Sequence, residues 1–595
     1  MLTNGHQKHY KKNIECGYIG HKCSRTIPHR FGNMPSTRIT IASNSNQSLK
    51  APVILPSLDS GSAYFTHIIK AAKDKLRLKK PSRIFLQGGR ELTAETDWSQ
   101  VLEKDVVLLV SIGEDYVGNK TEDAPSPHID ANLDCSIELL AEKAFVDTES
   151  IKQLETTART LPGVIHAVGQ PDLHPGTKFP IGAVFVSKGW IHPPLIGGDI
   201  GCGMAWYKTN LSRSHVVGDK GRKIADKLRG LEGPWRDQGT RESWLEEEGV
   251  EGVTCSAGEE WDKSLGTVGA GNHFAELQIV EESTMKIISA VANEGGKGEL
   301  YEDEVVLLIH SGSRGYGGDI LKRFTKDGQN SIHEDDPRAK EYLREHDRAC
   351  AWASRNRDLI ALRFLSCLEP GESSWRLGTN VNDSAMEKAI RDARQAIQAR
   401  KVVDIWHNNV EYTLWNPNRT NTSDPSSRTS QTSNAYTHRK GAAPTNNPRT
   451  NTPLSILPLP GSRATPTLIL HPTFGSVNSH GYTNAFSLAH GAGRAMSRAK
   501  AAEYIASKYK GKSDDLLRGD FVKSDKNGNK RIGGDEGRDV KGGCWVVCED
   551  KELVWEEAPE AYKDVWDVGE DLVARGCAVR WGWCRPLVSY KVRRE

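Results

Sequence analysis

Apolar residues follow two rhythms along this chain. From Ser36 to about Gly118 they come as short runs: RITIA at 38–42, PVILP at 52–56, RIFLQGGREL at 83–92 and DVVLLVS at 105–111. One amphipathic stretch through 63–76 interrupts them. Short extended runs around one helical stretch, with Gly88 and Gly89 closing a hairpin and Asp105 ahead of the last run, predict a small sheet carrying one helix. From about 135 the pattern changes scale. Apolar runs such as IGAVFVS at 181–187, VVLLIH at 305–310 and VVDIW at 402–406 read as strands, and residues at three- and four-residue spacing predict long helices over 338–366 and 382–401. The second region is therefore expected to be one large α+β unit over 135–595, and no internal repeat is visible.

Polar stretches punctuate this layout. Residues 1–35 hold Lys8, Lys11, Lys12, Lys22, Arg25 and Arg30 against Glu15 alone, with no apolar stripe, and predict a disordered basic arm. The segment 119–134, with Pro125 and Pro127, reads as a linker. The Asn-, Ser- and Thr-rich stretch 416–434 cannot bury apolar surface and predicts a disordered insertion, and 509–541 a second polar insertion.

Composition narrows the classes. Lysine and arginine (79) nearly cancel aspartate and glutamate (77), so a nucleic-acid surface has to be local. No run of about 18 apolar residues argues for a membrane span. Eleven cysteines, scattered without a dense framework, fit a reducing compartment inside the cell, cytoplasmic or nuclear.

Candidate chemistry gathers in five clusters, four of them glycine-rich. SLAHGAGRAMSR at 487–498 sets His490 among small residues that let a large ligand reach its ring, and Arg494 adds a planar fork suited to phosphate oxygens. A tight turn with a solvated arginine gives the same string. QPDLHPG at 170–176 and GGDIGCGM at 197–204 follow one another, and Asp199 and Cys202 could turn toward one point there. Carboxylate, thiolate and imidazole together suit a divalent transition metal, although a buried cysteine in a glycine turn reads alike. LGTVGAGNHFAEL at 265–277 delivers Asn272 and His273. VVLLIHSGSRGYG at 305–317 ends a strand at His310 before the Arg314 loop, and VVDIWHNNVE at 402–411 ends another at His407. Each histidine alone could be a hydrogen-bonded surface residue, and it is their coincidence that points to ligands. DKNGNKRIGGDE at 525–536 imitates a calcium loop, but Lys530 stands where the sharp turn needs glycine. Cys544 and Cys548 have no second pair and do not read as a zinc site.

Taken together these strings resemble the RtcB-type RNA ligases. PDLHPG, GGDIGCGM, GTVGAGNHFAE, HSGSRG, HNN, RKGA at 439–442, LPGS at 459–462, AHGAGR and EAPEAYKD at 557–564 occur in that family's order from about 135 to the C-terminus. DLHPG and FPIGA are closer to the branch that accompanies a release-factor homologue and mends damaged RNA than to the tRNA-splicing branch. The resemblance implies an α+β ligase fold with a β-sheet core flanked by helices. Ahead of it, 36–118 resembles a ubiquitin-like or doublecortin-like β-grasp domain in layout, which speaks for fold and not activity.

The implied activity is the GTP- and Mn2+-dependent joining of RNA 3′-phosphate or 2′,3′-cyclic phosphate ends to 5′-hydroxyl ends. Cys202 would bridge two manganese ions, with Asp199 and His273 on one and His310 and His407 on the other. His490 would attack the α-phosphate of GTP and carry the guanylate. Phe274 and Tyr562 would sandwich the guanine, Glu276, Ser462 and Lys591 would contact nucleotide edges, and Asn272 and Arg494 would touch phosphates. The Arg314 loop would take an RNA phosphate. The implied partners are such RNA ends and GTP, with an activating protein as a further candidate. Two features depart from the pattern: Lys591 is followed by Val592 and three charged residues where the family has Lys-Gly, and the insertion at 416–434 separates His407 from RKGA. Two other readings compete. One is a dinuclear phosphodiesterase or phosphatase acting on RNA ends without ligation, and the other is a non-enzymatic RNA- or protein-binding factor.

Overall fold

The computed structural model describes residues 37–117, 135–284, 299–379, 386–415, 433–509 and 544–592, with gaps of one to five residues inside several of these runs, and two short strands at 523–524 and 530–531. The basic arm, the linker, most of the stretch 416–434 and most of the polar stretch 509–541, including most of the calcium-like loop, lie outside the described residues. The chain divides into two compact units, Met1–His128 and Ile129–Glu595.

In the first unit five strands pair in the order Lys50–Leu55, Thr37–Ser43, Val107–Ser111, Arg83–Leu86, Glu91–Leu92. The two central strands run parallel and the other pairs antiparallel. Helix Gly61–Lys75 begins where the Ser60 side chain accepts from the Ala63 N–H, and it buries Tyr64, Ile68 and Ala72. Those residues pack with Ile39, Ile41, Leu108 and Val110, so this unit owns its core.

The second unit is layered. A large sheet runs antiparallel in the order Lys401–Trp406, Gly203–Ser212, Glu304–Ser311, Phe274–Ser283, Ala578–Tyr590, Thr467–Pro472, Leu457–Pro460, with a short strand Trp545–Val547 added parallel to Ala578–Tyr590. A five-stranded sheet runs Asn408–Trp415, Ser433–Lys440, Ile181–Ser187, Val164–His174, Ser136–Leu139. Strand alternation explains the layers: Met204, Trp206, Val306 and Leu308 face a core shared with Val168, Val184 and Val186 of the second sheet. Ala205, Tyr207, Val305, Leu307 and Ile309 face the other way, onto helices Pro337–Leu368 and Met386–Arg400. Both faces of the large sheet are covered, which is why its strands read as nearly continuous apolar runs. One boundary moves: Ser433 and Asn434, assigned from sequence to the insertion, begin a strand that pairs with Asn408–Trp415. Among the described residues no helix is long and apolar enough to cross a membrane.

Candidate active site

Antiparallel register assembles the site. Gly203, just after Cys202, pairs with Ser311 on one side and Trp406 on the other, and Phe274 pairs with His310. Cys202, His310, His407 and His273 therefore emerge at one end of four adjacent strands. A one-residue slip would turn every one of these side chains to the opposite face. Gly203 itself permits the approach, since a Cβ there would lie 1.8 Å from the Ile405 carbonyl oxygen.

The side chains converge. Cys202 Sγ lies 3.3 Å from His273 Nε2, 3.3 Å from His310 Nε2 and 3.2 Å from His407 Nε2. His273 Nε2 is also 2.7 Å from Asp199 Oδ2, and the Nε2 atoms of His310 and His407 are 3.3 Å apart. All four of Cys202, His273, His310 and His407 are buried. Burial holds His310 and His407 well below the usual imidazole range, so both keep a lone pair. Burial first, and the Asp199 carboxylate after it, push the Cys202 thiol well up. A divalent cation would reverse that preference outright. Asp199 Oδ1 is buried without a hydrogen-bond partner among the described residues, and Cys202, His273 and His310 meet the spacing of a metal-binding group. Soft and borderline ligands aimed at one point, with an orphaned carboxylate oxygen beside them, fit a divalent transition metal.

His490 stands next to this cluster, its ring 4.7 Å from that of His407. Its Nδ1 is 2.7 Å from Asp172 Oδ2, a fully buried carboxylate. That contact fixes the imidazole so that Nε2 is left for chemistry. Gly493 is needed for this approach: its φ is +69°, and a Cβ there would lie 2.2 Å from the Asp172 carbonyl oxygen. The string QPDLHPG alone gives Asp172 no role of its own. Its partner lies 318 residues away, and no local spacing announces it. Lys563 Nζ donates to the carbonyls of Pro171 and Leu173 and ties the Asp172 segment down.

Asp199, Cys202, His310, His407 and His490 line one cavity of about 800 Å³, together with Asn272, Phe274, Ser462, Arg494, Tyr562 and Lys591. That volume suits a nucleotide-sized ligand. Ser462 Oγ donates to the Glu557 carbonyl, and Lys591 Nζ to the His273 carbonyl at 3.2 Å. Burial lowers the Lys591 ammonium. Lys591 therefore reaches the site despite the altered residues after it.

Three assignments sit differently. Arg494, read as a phosphate contact, has its fork occupied: Nε donates to Met496 O, Nη1 to Glu557 Oε1 and Tyr562 Oη, and Nη2 to Glu556 O. Tyr562 Oη in turn donates to Glu557 Oε2. Arg494 thus holds the tyrosine and Glu557 in place. Glu276 is 2 % exposed and accepts from Gln278 behind the cavity wall, and burial lifts its carboxyl to about 7. Arg314 is buried with Nη1 3.2 Å from His273 Nδ1, a neighbour of the cluster rather than a free anion contact.

The family model described as tRNA-splicing ligase RtcB matches residues 153–234 and 235–530. The chain is 31 % identical over 459 residues, 77 % of its length and 96 % of the relative's, to an RNA-splicing ligase RtcB2 of Escherichia coli. It is 25 % identical to a tRNA-splicing ligase RtcB of Methanococcus maripaludis, over 72 % of this chain and 88 % of that one. With an RNA-splicing ligase RtcB homolog 1 of Entamoeba dispar the identity is 27 %, over 73 % and 80 %. With most of its second unit matched and its cysteine and histidines drawn to one cavity, the chain belongs to the RtcB family of RNA ligases.

Proposed function

We propose that this chain joins RNA 3′-phosphate or 2′,3′-cyclic phosphate ends to 5′-hydroxyl ends, using GTP and Mn2+ through a guanylyl-histidine, in RNA repair or tRNA splicing. The observation that carries this reading is the pairing of His490 with Asp172 at the edge of the Cys202 cluster, inside a cavity large enough for a nucleotide.

The His490 Nε2 lone pair would form a bond to the α-phosphorus of GTP while the bond to the bridging oxygen breaks and pyrophosphate leaves. Asp172 holds the Nδ1 proton and steadies the positive charge that develops on the ring. An RNA 3′-phosphate oxygen then takes the guanylate from Nε2, which restores the imidazole. The 5′-hydroxyl oxygen attacks the activated phosphorus, loses its proton, and GMP departs. A cyclic phosphate is opened by hydrolysis beforehand. Cys202, Asp199 and His273, with His310 and His407, would hold the manganese, which supplies charge neutralisation at the phosphoryl oxygens. Phe274 and Tyr562 offer ring faces to the guanine. Glu557 and Arg494 position Tyr562, so Arg494 acts through the tyrosine.

We read the first unit, from its strand order and single helix, as a ubiquitin-like β-grasp domain outside this chemistry. The test of function is direct. A labelled RNA with a 3′-phosphate and a partner with a 5′-hydroxyl should be joined only with GTP and Mn2+ together. Release of inorganic phosphate from the 3′ end without joining would favour the phosphatase reading.

A further inference from the structure

Arg463 lines the cavity and has no part in the scheme above. It follows Ser462 in the turn after strand Leu457–Pro460, and it lines the same cavity as His490 and Lys591. It is 4 % exposed, and its Nε, Nη1 and Nη2 are all buried without a hydrogen-bond partner among the described residues. A guanidinium carries five N–H donors and cannot shed its charge, so burying it unpaired costs several kcal/mol unless something supplies acceptors. The turn is built to hold it: Thr465 N–H donates to Ser462 O, Gly461 N–H to Pro466 O, and Ala464 takes a φ of +61°, a strained conformation for a residue with a Cβ.

Its surroundings say what kind of acceptor. Arg463 follows Ser462, whose hydroxyl donates to the Glu557 carbonyl, and the Glu557 carboxylate accepts from Tyr562. Glu557 is also among the charged groups in range of Arg463. Arg463 thus stands on the side of Ser462, Glu557 and Tyr562, the ring offered to the guanine. Phosphates belong at His490, where the α-phosphorus must be attacked, and the base belongs at the Tyr562 ring. A guanidinium fork matches the O6 and N7 acceptors of guanine in a bidentate pair, and adenine, with an amino group in place of O6, offers a donor where the fork needs an acceptor.

We propose that Arg463 is a specificity-determining residue that reads the O6/N7 edge of the guanine. The inference rests on the GTP reading above and deepens it.

The experiment measures equilibrium binding of GTP, ATP and 7-deaza-GTP, each as the α,β-methylene analogue that cannot release pyrophosphate, to the full chain with Mn2+, for wild type, Arg463→Met and Arg463→Lys, with thermal unfolding as a check on folding. Wild type should prefer GTP over both other nucleotides. Both variants should lose about ten- to a hundredfold in GTP affinity, the range of one bidentate pair, with ATP binding unchanged and the penalty for 7-deaza-GTP gone. Arg463→Lys keeps the charge and the fold while removing the fork, so it decides the matter if Arg463→Met fails to fold. Unchanged GTP affinity in either folded variant overturns the proposal. An equal loss for GTP and ATP also overturns it, and marks Arg463 as a phosphate contact. If the wild type binds no nucleotide at all, the GTP reading itself falls and takes this proposal with it; if GTP binds and the variants do not differ, only the role of Arg463 falls.

Discussion

Two buried histidine clusters sit in the second unit and do opposite things with their nitrogens. Around Cys202, the Nε2 atoms of His273, His310 and His407 all point at one sulfur from 3.2–3.3 Å. Around His438, each ring is absorbed into the fold: the His192 N–H donates to His438 Nε2, His438 Nδ1 lies 3.3 Å from Phe185 O, and the Val410 N–H donates to His346 Nε2. His346 Nδ1 meets Asp347, and His192 Nδ1 meets Ser331. The second cluster even holds a cysteine, Cys350, 3.6 Å from His346 Nε2. Composition and burial do not separate the two groups. Convergence does: backbone partners that satisfy a ring make it structural, and rings left facing one another around a thiol await a ligand.

The largest expected effect breaks the first cluster. Cys202→Ala or His310→Ala should strip bound manganese and cut both guanylate transfer and RNA joining by more than about 100-fold, since losing a direct ligand exceeds the usual effect of losing its supporting partner. Metal analysis of the purified variants and a single-turnover assay read both. A Cys202→Ala protein with full metal and activity would erase the contrast.

Next comes Asp172→Asn, which removes the charge behind His490 without touching the cluster. Guanylate transfer should slow by about 100-fold or more with metal content intact, and joining of an already activated RNA end should suffer far less. Equal loss in both steps would show that Asp172 merely supports the fold.

In the second cluster, His438→Gln should leave metal and guanylate transfer unchanged while lowering stability by about 1–3 kcal/mol, the cost of stranding buried partners. Denaturant unfolding measures it. Loss of metal in this variant would mean that the two clusters are one system.

The effect that leaves both clusters untouched concerns Glu276, on the strand that follows His273. Its carboxyl titrates near 7 in the folded chain against an ordinary 4.5, because it is buried. A folded value above the unfolded one means that this stability is fully present below about pH 4.5 and is lost as pH rises through 7. From pH 5 to 8.5 the wild type should lose up to about 3 kcal/mol relative to Glu276→Gln. Parallel stability curves for the two proteins would contradict this.

How much of this was legible in the chain differs from residue to residue. Cys202, His273, His310 and His407 could be read because each ends or begins an apolar strand, the first three close to glycine, and strand ends are where a sheet presents side chains. Asp172 could not, because its meaning comes from a partner 318 residues on. Arg494 looked like a free fork because sequence shows a donor but not the Glu557 and Tyr562 that claim it. Arg463 draws no notice in the sequence, because nothing local says that its guanidinium will be buried. The strands of both units were readable from their periods. The order of the large sheet was not, since register between distant segments leaves no trace in spacing.

The central claim is that one imidazole carries the nucleotide. Wild-type protein incubated with Mn2+ and GTP labelled on the α-phosphorus should form an acid-labile adduct that peptide mapping places on His490, and His490→Ala should form none. An adduct that persists in His490→Ala, or maps to another residue, would contradict the account.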